Sequence, residues 1–116
     1  MTTQLTQSQK IAQINDMFRE NLPMFMMIGQ AVITRGIANL PEADRMEILS
    51  MVQAFDNFTE DNDPYGEHDF GSFKLNGQTI FWKFDYYDSS MEYGSEDPAD
   101  AENTKRILTI MLACEY

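Results

Sequence analysis

Cysteine is nearly absent from this sequence. Cys114 is the single one, so no internal disulfide can form, a reducing compartment is the simpler setting, and the thiol itself reads as core. Histidine is as scarce, with His68 alone, and one His and one Cys far apart give no zinc-ligand spacing. Basic residues are few, 8 Lys and Arg against 19 Asp and Glu. Neither the GxGxxG nor the GxxxxGK phosphate loop occurs, so no nucleotide cofactor and no direct nucleic-acid binding are expected. A long hydrophobic run is also missing. The most apolar window, Leu22 to Ile37, is broken by Pro23, Gly29, Gln30 and Arg35 and is too short and polar to span a bilayer. The opening MTTQLTQSQK has no basic and apolar run of the secretory type, so the chain reads as soluble, cytoplasmic and without a membrane partner.

What is present is acid, and it is concentrated. The net charge is −11. Between Asp56 and Glu102 there are 13 acidic residues against only Lys74 and Lys83, a local balance of −11, while the rest of the chain sums to zero. A field of that sign repels nucleic acid and anionic membrane and attracts basic proteins or cations. Aliphatic and aromatic content is ordinary, and 116 residues suffice for one domain with a sizeable core, residues 1–116.

The strongest local signal is Asn76-Gly77, a type I′ turn pair between two strand-like runs, because both residues tolerate positive φ. With Leu75 paired to Gln78, Phe73 faces Ile80, Gly71 faces Trp82 and Asp69 faces Phe84. One face then carries Leu75, Phe73, Ile80, Trp82 and Phe84 and should meet the core. Gly71 leaves room for the indole of Trp82. The other face, with Phe70, Phe81, Lys83, Asp85 and Tyr87, is mixed.

Elsewhere Thr6 or Ser8 caps a first helix with Ile11, Ile14, Phe18 and Leu22 inward, ended by Pro23. Met24 to Thr34 reads as a buried strand. Asn39 and Glu42 suit a capping box for a second helix, with Met46, Leu49, Val52 and Phe55 inward and Ile48 as flank. Two acidic loops, Asp56 to Glu67 and Asp88 to Asp100, flank the hairpin. Asp97 or Asp100 then caps a last helix with Ile107, Leu108, Met111 and Leu112 inward. The expected order is α-β-α-β-β-α. It makes an α+β fold, a three-stranded antiparallel sheet with one tight hairpin, packed by about three helices mainly on the Trp82 face.

Two constellations bear on chemistry. In the expected register His68 faces Asp85, with Glu67 and Asp69 beside it in sequence, a grouping that suits either a structural His-carboxylate pair or a general base or metal ligand. No nucleophile motif accompanies it, and DNFTEDNDPYGE lacks the EF-hand spacing, so no metal and no catalytic residue are assigned. The second is the acidic and aromatic surface of Glu60, Asp61, Asp63, Glu67, Asp85, Tyr87, Asp88, Glu92, Tyr93, Glu96, Asp97 and Asp100, read as partner-binding.

The stretches NDPYGEHDFG (Asn62 to Gly71), FWKFDYYD (Phe81 to Asp88), SEDPADAENTKRILTIMLACEY (Ser95 to Tyr116) and ITRGIANLP (Ile33 to Pro41) carry a resemblance. The sequence resembles an uncharacterised family of small bacterial proteins, a domain of unknown function whose members are often carried on plasmids or other mobile elements. That resemblance implies a bacterial cytoplasmic setting and brings no activity, ligand or catalytic residue.

Two classes of function stay open on these grounds. One is an acidic binding module, in the sharper form a DNA mimic of the antirestriction or anti-CRISPR type that blocks the basic nucleic-acid-binding surface of a host defence complex. Duplex DNA carries about one charge per 1.7 Å, which calls for a dense acidic face on a rigid scaffold. The other is a small enzyme or metal-binding protein centred on His68 with Asp85 and Glu67.

Overall fold

A computed structural model describes residues 4–22 and 29–116 of the chain. Thr6 starts helix α1 (Gln7–Glu20) through a capping box: its hydroxyl accepts from the Gln9 N–H at 3.1 Å, and the Gln9 side chain accepts from the Thr6 N–H at 2.8 Å. Strand β1 (Gly29–Ile33) follows, and the earlier part of the apolar run expected as a strand, 24–28, lies outside the described residues. A short helix α2 (Arg35–Ala38) leads to α3 (Glu42–Ala54). Then come β2 (Phe70–Leu75), β3 (Gln78–Asp88), β4 (Thr104–Leu112) and a 3-10 turn, Ala113–Glu115.

The α+β class holds, with more strands than expected. The sheet is four-stranded and mixed, in the order β1-β4-β3-β2, with β1 parallel to β4 and the other pairs antiparallel. The hairpin has the register read from its turn: Leu75 opposite Gln78, Phe73 opposite Ile80, Gly71 opposite Trp82. Asn76 and Gly77 both take positive φ, 50° and 79°. Trp82 is fully buried, and a Cβ on Gly71 would overlap its indole. Helices cover that face, where Phe18 of α1, Ile37 of α2 and Ile48 and Val52 of α3 join Ile80, Trp82, Phe84, Leu108 and Ile110 in one core cluster.

Thr104–Leu112 is a central strand, not a helix capped by Asp97 or Asp100. Ile107, Leu108, Met111 and Leu112 fit a helical stripe, yet Arg106, Leu108 and Ile110 alternate inward while Ile107, Thr109 and Met111 face the other side. With apolar Ile107 and Met111 among Lys105 and Thr109 on its outer face, this strand with neighbours on both edges lacks the clean apolar-polar alternation that reveals a period of two. Cys114 is exposed in the turn that follows, so it is not a core thiol. Glu115 in the same turn accepts from the Thr34 hydroxyl and from the N–H groups of Gly36 and Leu112, which pins the start of α2 to the end of β4.

The α3 stripe is also rotated from its expected position. Ile48 and Val52 point into the core, while Met46 and Leu49 are 64% and 41% exposed. Pro41 takes the N-cap position with no side-chain cap, so the Asn39 and Glu42 box does not form. In α1 the buried face includes Asn15 and Arg19, whereas Ile14 is only half-buried.

Candidate functional site

The second acidic loop folds back on the end of β3 and is tied there residue by residue. Asp88 accepts from the Ser90 hydroxyl at 2.7 Å and from the Glu92 and Tyr93 N–H groups at 3.2 and 3.4 Å. The Asp88 N–H donates to the Tyr93 carbonyl, the Ser95 N–H to the Tyr86 carbonyl, and Tyr87 bridges to Gly94. Farther on, the Thr104 hydroxyl donates to the Asp97 carbonyl, the Ala99 N–H to the Asp97 carboxylate, and the Asn103 amide to the Asp100 carboxylate. Short polar side chains bonding to their own backbone build such turns.

The product is a recess of about 440 Å³ whose walls include Asp88, Glu96, Asp97, Asp100 and Tyr93, with no Lys or Arg among the described residues lining it. The hydroxyl of Ser90 holds the Asp88 carboxyl below its ordinary range, and the Asn103 amide does the same for Asp100. Both therefore stay ionised across physiological pH. Tyr93 stands 71% exposed at this recess, a ring free to stack against an incoming group. The arrangement suits a guanidinium or ammonium flanked by apolar stem.

Helix α1 joins the two acidic loops. The Gln7 side chain donates to Asp97. The Asn15 amide donates to the Glu67 carbonyl at 3.0 Å and to the Tyr86 hydroxyl at 2.8 Å. Its Oδ1 accepts from Arg106 Nε at 2.8 Å, and Arg106 Nη2 donates to the Pro98 carbonyl. Arg106 is fully buried, its guanidinium lies 5.3 Å from the Tyr86 ring, and burial pulls its pKa down. Burial likewise pushes the Tyr86 phenol well up, so it remains neutral.

His68 lies at the foot of the first loop, in a different setting from the expected one. Its φ is 55°, and it precedes β2, so it is not paired across the hairpin with Asp85. Asp85 is aligned with Ile107 of β4 on the opposite face of the sheet, and its carboxylate takes the Lys83 ammonium at 2.8 Å. The His68 ring turns toward the helices. Nδ1 is 2.9 Å from both oxygens of Asp16, and because a carboxylate only accepts, the proton sits on Nδ1. Nε2 is 3.7 Å from Asp63, whose buried carboxylate also accepts from the His68 N–H. The ring stacks on Phe58 at 3.8 Å and 3°. Behind it Arg19, 1% exposed, donates to Asp16 and to the Val52 and Gln53 carbonyls and lies 4.9 Å from the Trp82 ring. This is a packed polar plug that fastens the first loop to α1. Among the described residues no group of three or more His, Cys, Asp or Glu is placed to hold a metal ion.

Of the residues read from sequence as partner-binding, Asp88, Tyr93, Glu96, Asp97 and Asp100 meet at the recess. Glu60, Asp61 and Glu92 are exposed elsewhere on the loops, Asp63 turns inward, and Glu67, Asp85 and Tyr87 are half-buried. Sequence reasoning missed Asn15, Asp16, Arg19 and Arg106. The helical spacing of Ile11, Asn15, Phe18 and Arg19 carried the signal for two of them.

Residues 33–115 match the family described as "Protein of unknown function (DUF3768)". The chain belongs to this family. The DUF3768 match starts at Ile33 within β1 and runs through β4, so it takes in both acidic loops and the hairpin but not α1. Searches of the curated proteins and of the solved structures return no significant match. Among the described residues no helix is long and apolar enough to cross a membrane.

Proposed function

We propose that the protein is a binding module that docks its acidic loops on a basic protein surface, in the sharper form as a DNA mimic that occupies the nucleic-acid groove of a bacterial defence complex, of the anti-CRISPR or antirestriction type. The observation that carries this reading is the recess walled by Asp88, Glu96, Asp97 and Asp100, with no basic residue among the described residues that line it and exposed Tyr93 beside it. A mimic needs charges that are fixed and stay ionised. The hydrogen bonds that hold Asp88 and Asp100 supply both properties, at the cost of ordering done in advance of binding. The resemblance to plasmid-borne bacterial proteins and a cytoplasmic setting are consistent with a role against host defence, and both belong to the proposal. Chemistry centred on His68 has less behind it, because Asp85 is on the other face and Asp16 and Phe58 hold the ring.

The test is competition. A basic nucleic-acid-binding complex recovered from the native host on the immobilised protein is purified, and its binding to labelled DNA is measured against increasing amounts of the protein. Displacement is expected, weakening steeply as salt rises and the Debye length falls from about 10 Å at 0.1 M to about 3 Å at 1 M. A variant with Glu60, Asp61, Glu92 and Glu96 changed to Lys, all exposed, should lose displacement with little change in melting temperature. Unchanged competition by that variant, or no displacement by the parent, would overturn the reading.

A further inference from the structure

A second surface lies on the helical side, away from the acidic loops in sequence and different in chemistry. Met46 and Leu49 of α3 stand exposed beside Ile33 at the end of β1, itself 50% exposed, around an open apolar groove of about 320 Å³ floored by Ile37, Ile48 and Ile110. Lone exposed apolar residues need no explanation, but several around one groove mark a contact surface. Among the described residues, the charged ones lining it are Glu42 and Arg45, one helical turn apart on α3. Arg45 donates to the Ala38 and Leu40 carbonyls, which fixes its guanidinium at the rim.

We infer that this groove binds a second copy of the same chain, as a two-fold dimer in which Met46 of each copy enters the other's groove and Glu42 of each faces Arg45 of the other. Two features select this occupant. First, charge: with −11 confined to residues 56–102, two copies repel wherever those loops approach, and the groove belongs to the part of the chain that sums to zero. A basic partner would be drawn to the acidic loops instead. Second, the rim is self-complementary. One acid and one base a turn apart satisfy each other when a two-fold axis reverses the second helix, the arrangement an isologous contact requires. A stable interface needs about 800 Å² per partner, roughly a tenth of the 7466 Å² surface. Such a dimer also presents two acidic recesses at once.

The experiment is sedimentation equilibrium on the full chain with Met46→Asp, Glu42→Arg and the swap Glu42→Arg with Arg45→Glu. The parent should have twice the 13.4 kDa chain mass at tens of micromolar. Met46→Asp should be a folded monomer, since the side chain it replaces is 64% exposed. Glu42→Arg should weaken the dimer about 3- to 10-fold, the scale of two rim ion pairs, and the swap should recover most of that loss. A parent that stays monomeric up to about 100 µM, a dimer indifferent to Met46→Asp, or a swap that recovers nothing would each overturn the inference. Binding of an amphipathic peptide by a monomeric parent would do so as well.

Discussion

Glu67 sits beside His68 with its carboxyl pushed up, by burial first and then by the nearby charges of Asp69 and Asp63. A carboxyl with a raised folded-state pKa binds its proton more tightly in the folded chain than in the unfolded one. Stability therefore falls as pH climbs from the ordinary value of 4.5 through the raised value, and remains lower at neutral pH. Glu67→Gln removes that cost and keeps the shape, while the Glu67 carbonyl still accepts from Asn15. Thermal melts should show the variant more stable than the parent at pH 7, with the difference gone below about pH 4. A lower melting temperature at pH 7 would mean that the carboxylate has a favourable partner after all. Asp69 is raised for the same leading reason, burial, so Asp69→Asn should move in the same direction.

At the scale of elements, Arg106 of β4 is the tie between strand, helix and loop. Replacing it with Met leaves Asn15 Oδ1 and the Pro98 carbonyl without this donor. An unpaired buried acceptor costs about 1–3 kcal/mol, and relief of the buried charge offsets part of that. Arg106→Met should therefore destabilise by about 2 kcal/mol, with hydrogen exchange accelerated first at Asp97 to Asn103 and the hairpin amides little changed. Uniform acceleration across both would show that Arg106 supports the whole core and not the loop. Elements were unequally legible in the sequence, for physical reasons. Asn76-Gly77 sets its own geometry within two residues, so the hairpin, its register and the burial of Trp82 could be read directly. β4 could not, because apolar Ile107 and Met111 on its outer face mask the alternation of the strand. Its β-branched Thr104, Ile107, Thr109 and Ile110 were the overlooked sign. The turn of α3 about its axis depends on where its packing partners α1 and β2 lie, which no stripe within α3 encodes. The pairing of His68 with Asp16 joins residues far apart in the chain, and its ring points away from Asp85 because φ is positive at that position.

For the molecule as a whole, the acidic excess acts against compactness. Thirteen acids between Asp56 and Glu102 are brought closer on folding than in the open chain, so screening should favour the folded state. The melting temperature is expected to rise by several degrees between about 0.01 M and 0.5 M NaCl, as the Debye length contracts from about 30 Å toward 4 Å. A fall over that range would show that attractive pairs outweigh the repulsion. The position of β4 has a consequence of another kind, in biosynthesis. The fourth strand in chain order is a middle strand of the sheet, and β1 cannot pair with it until the 78 residues from Gly29 to Arg106 have been made. At about 5–20 residues per second that interval is roughly 4–15 s. During it the strand-forming residues of β1 and the inner side of the hairpin have no β4 to close against. The nascent chain must be kept from aggregating by something other than its own fold, and a message broken before the codons for Thr104–Leu112 would yield no folded product.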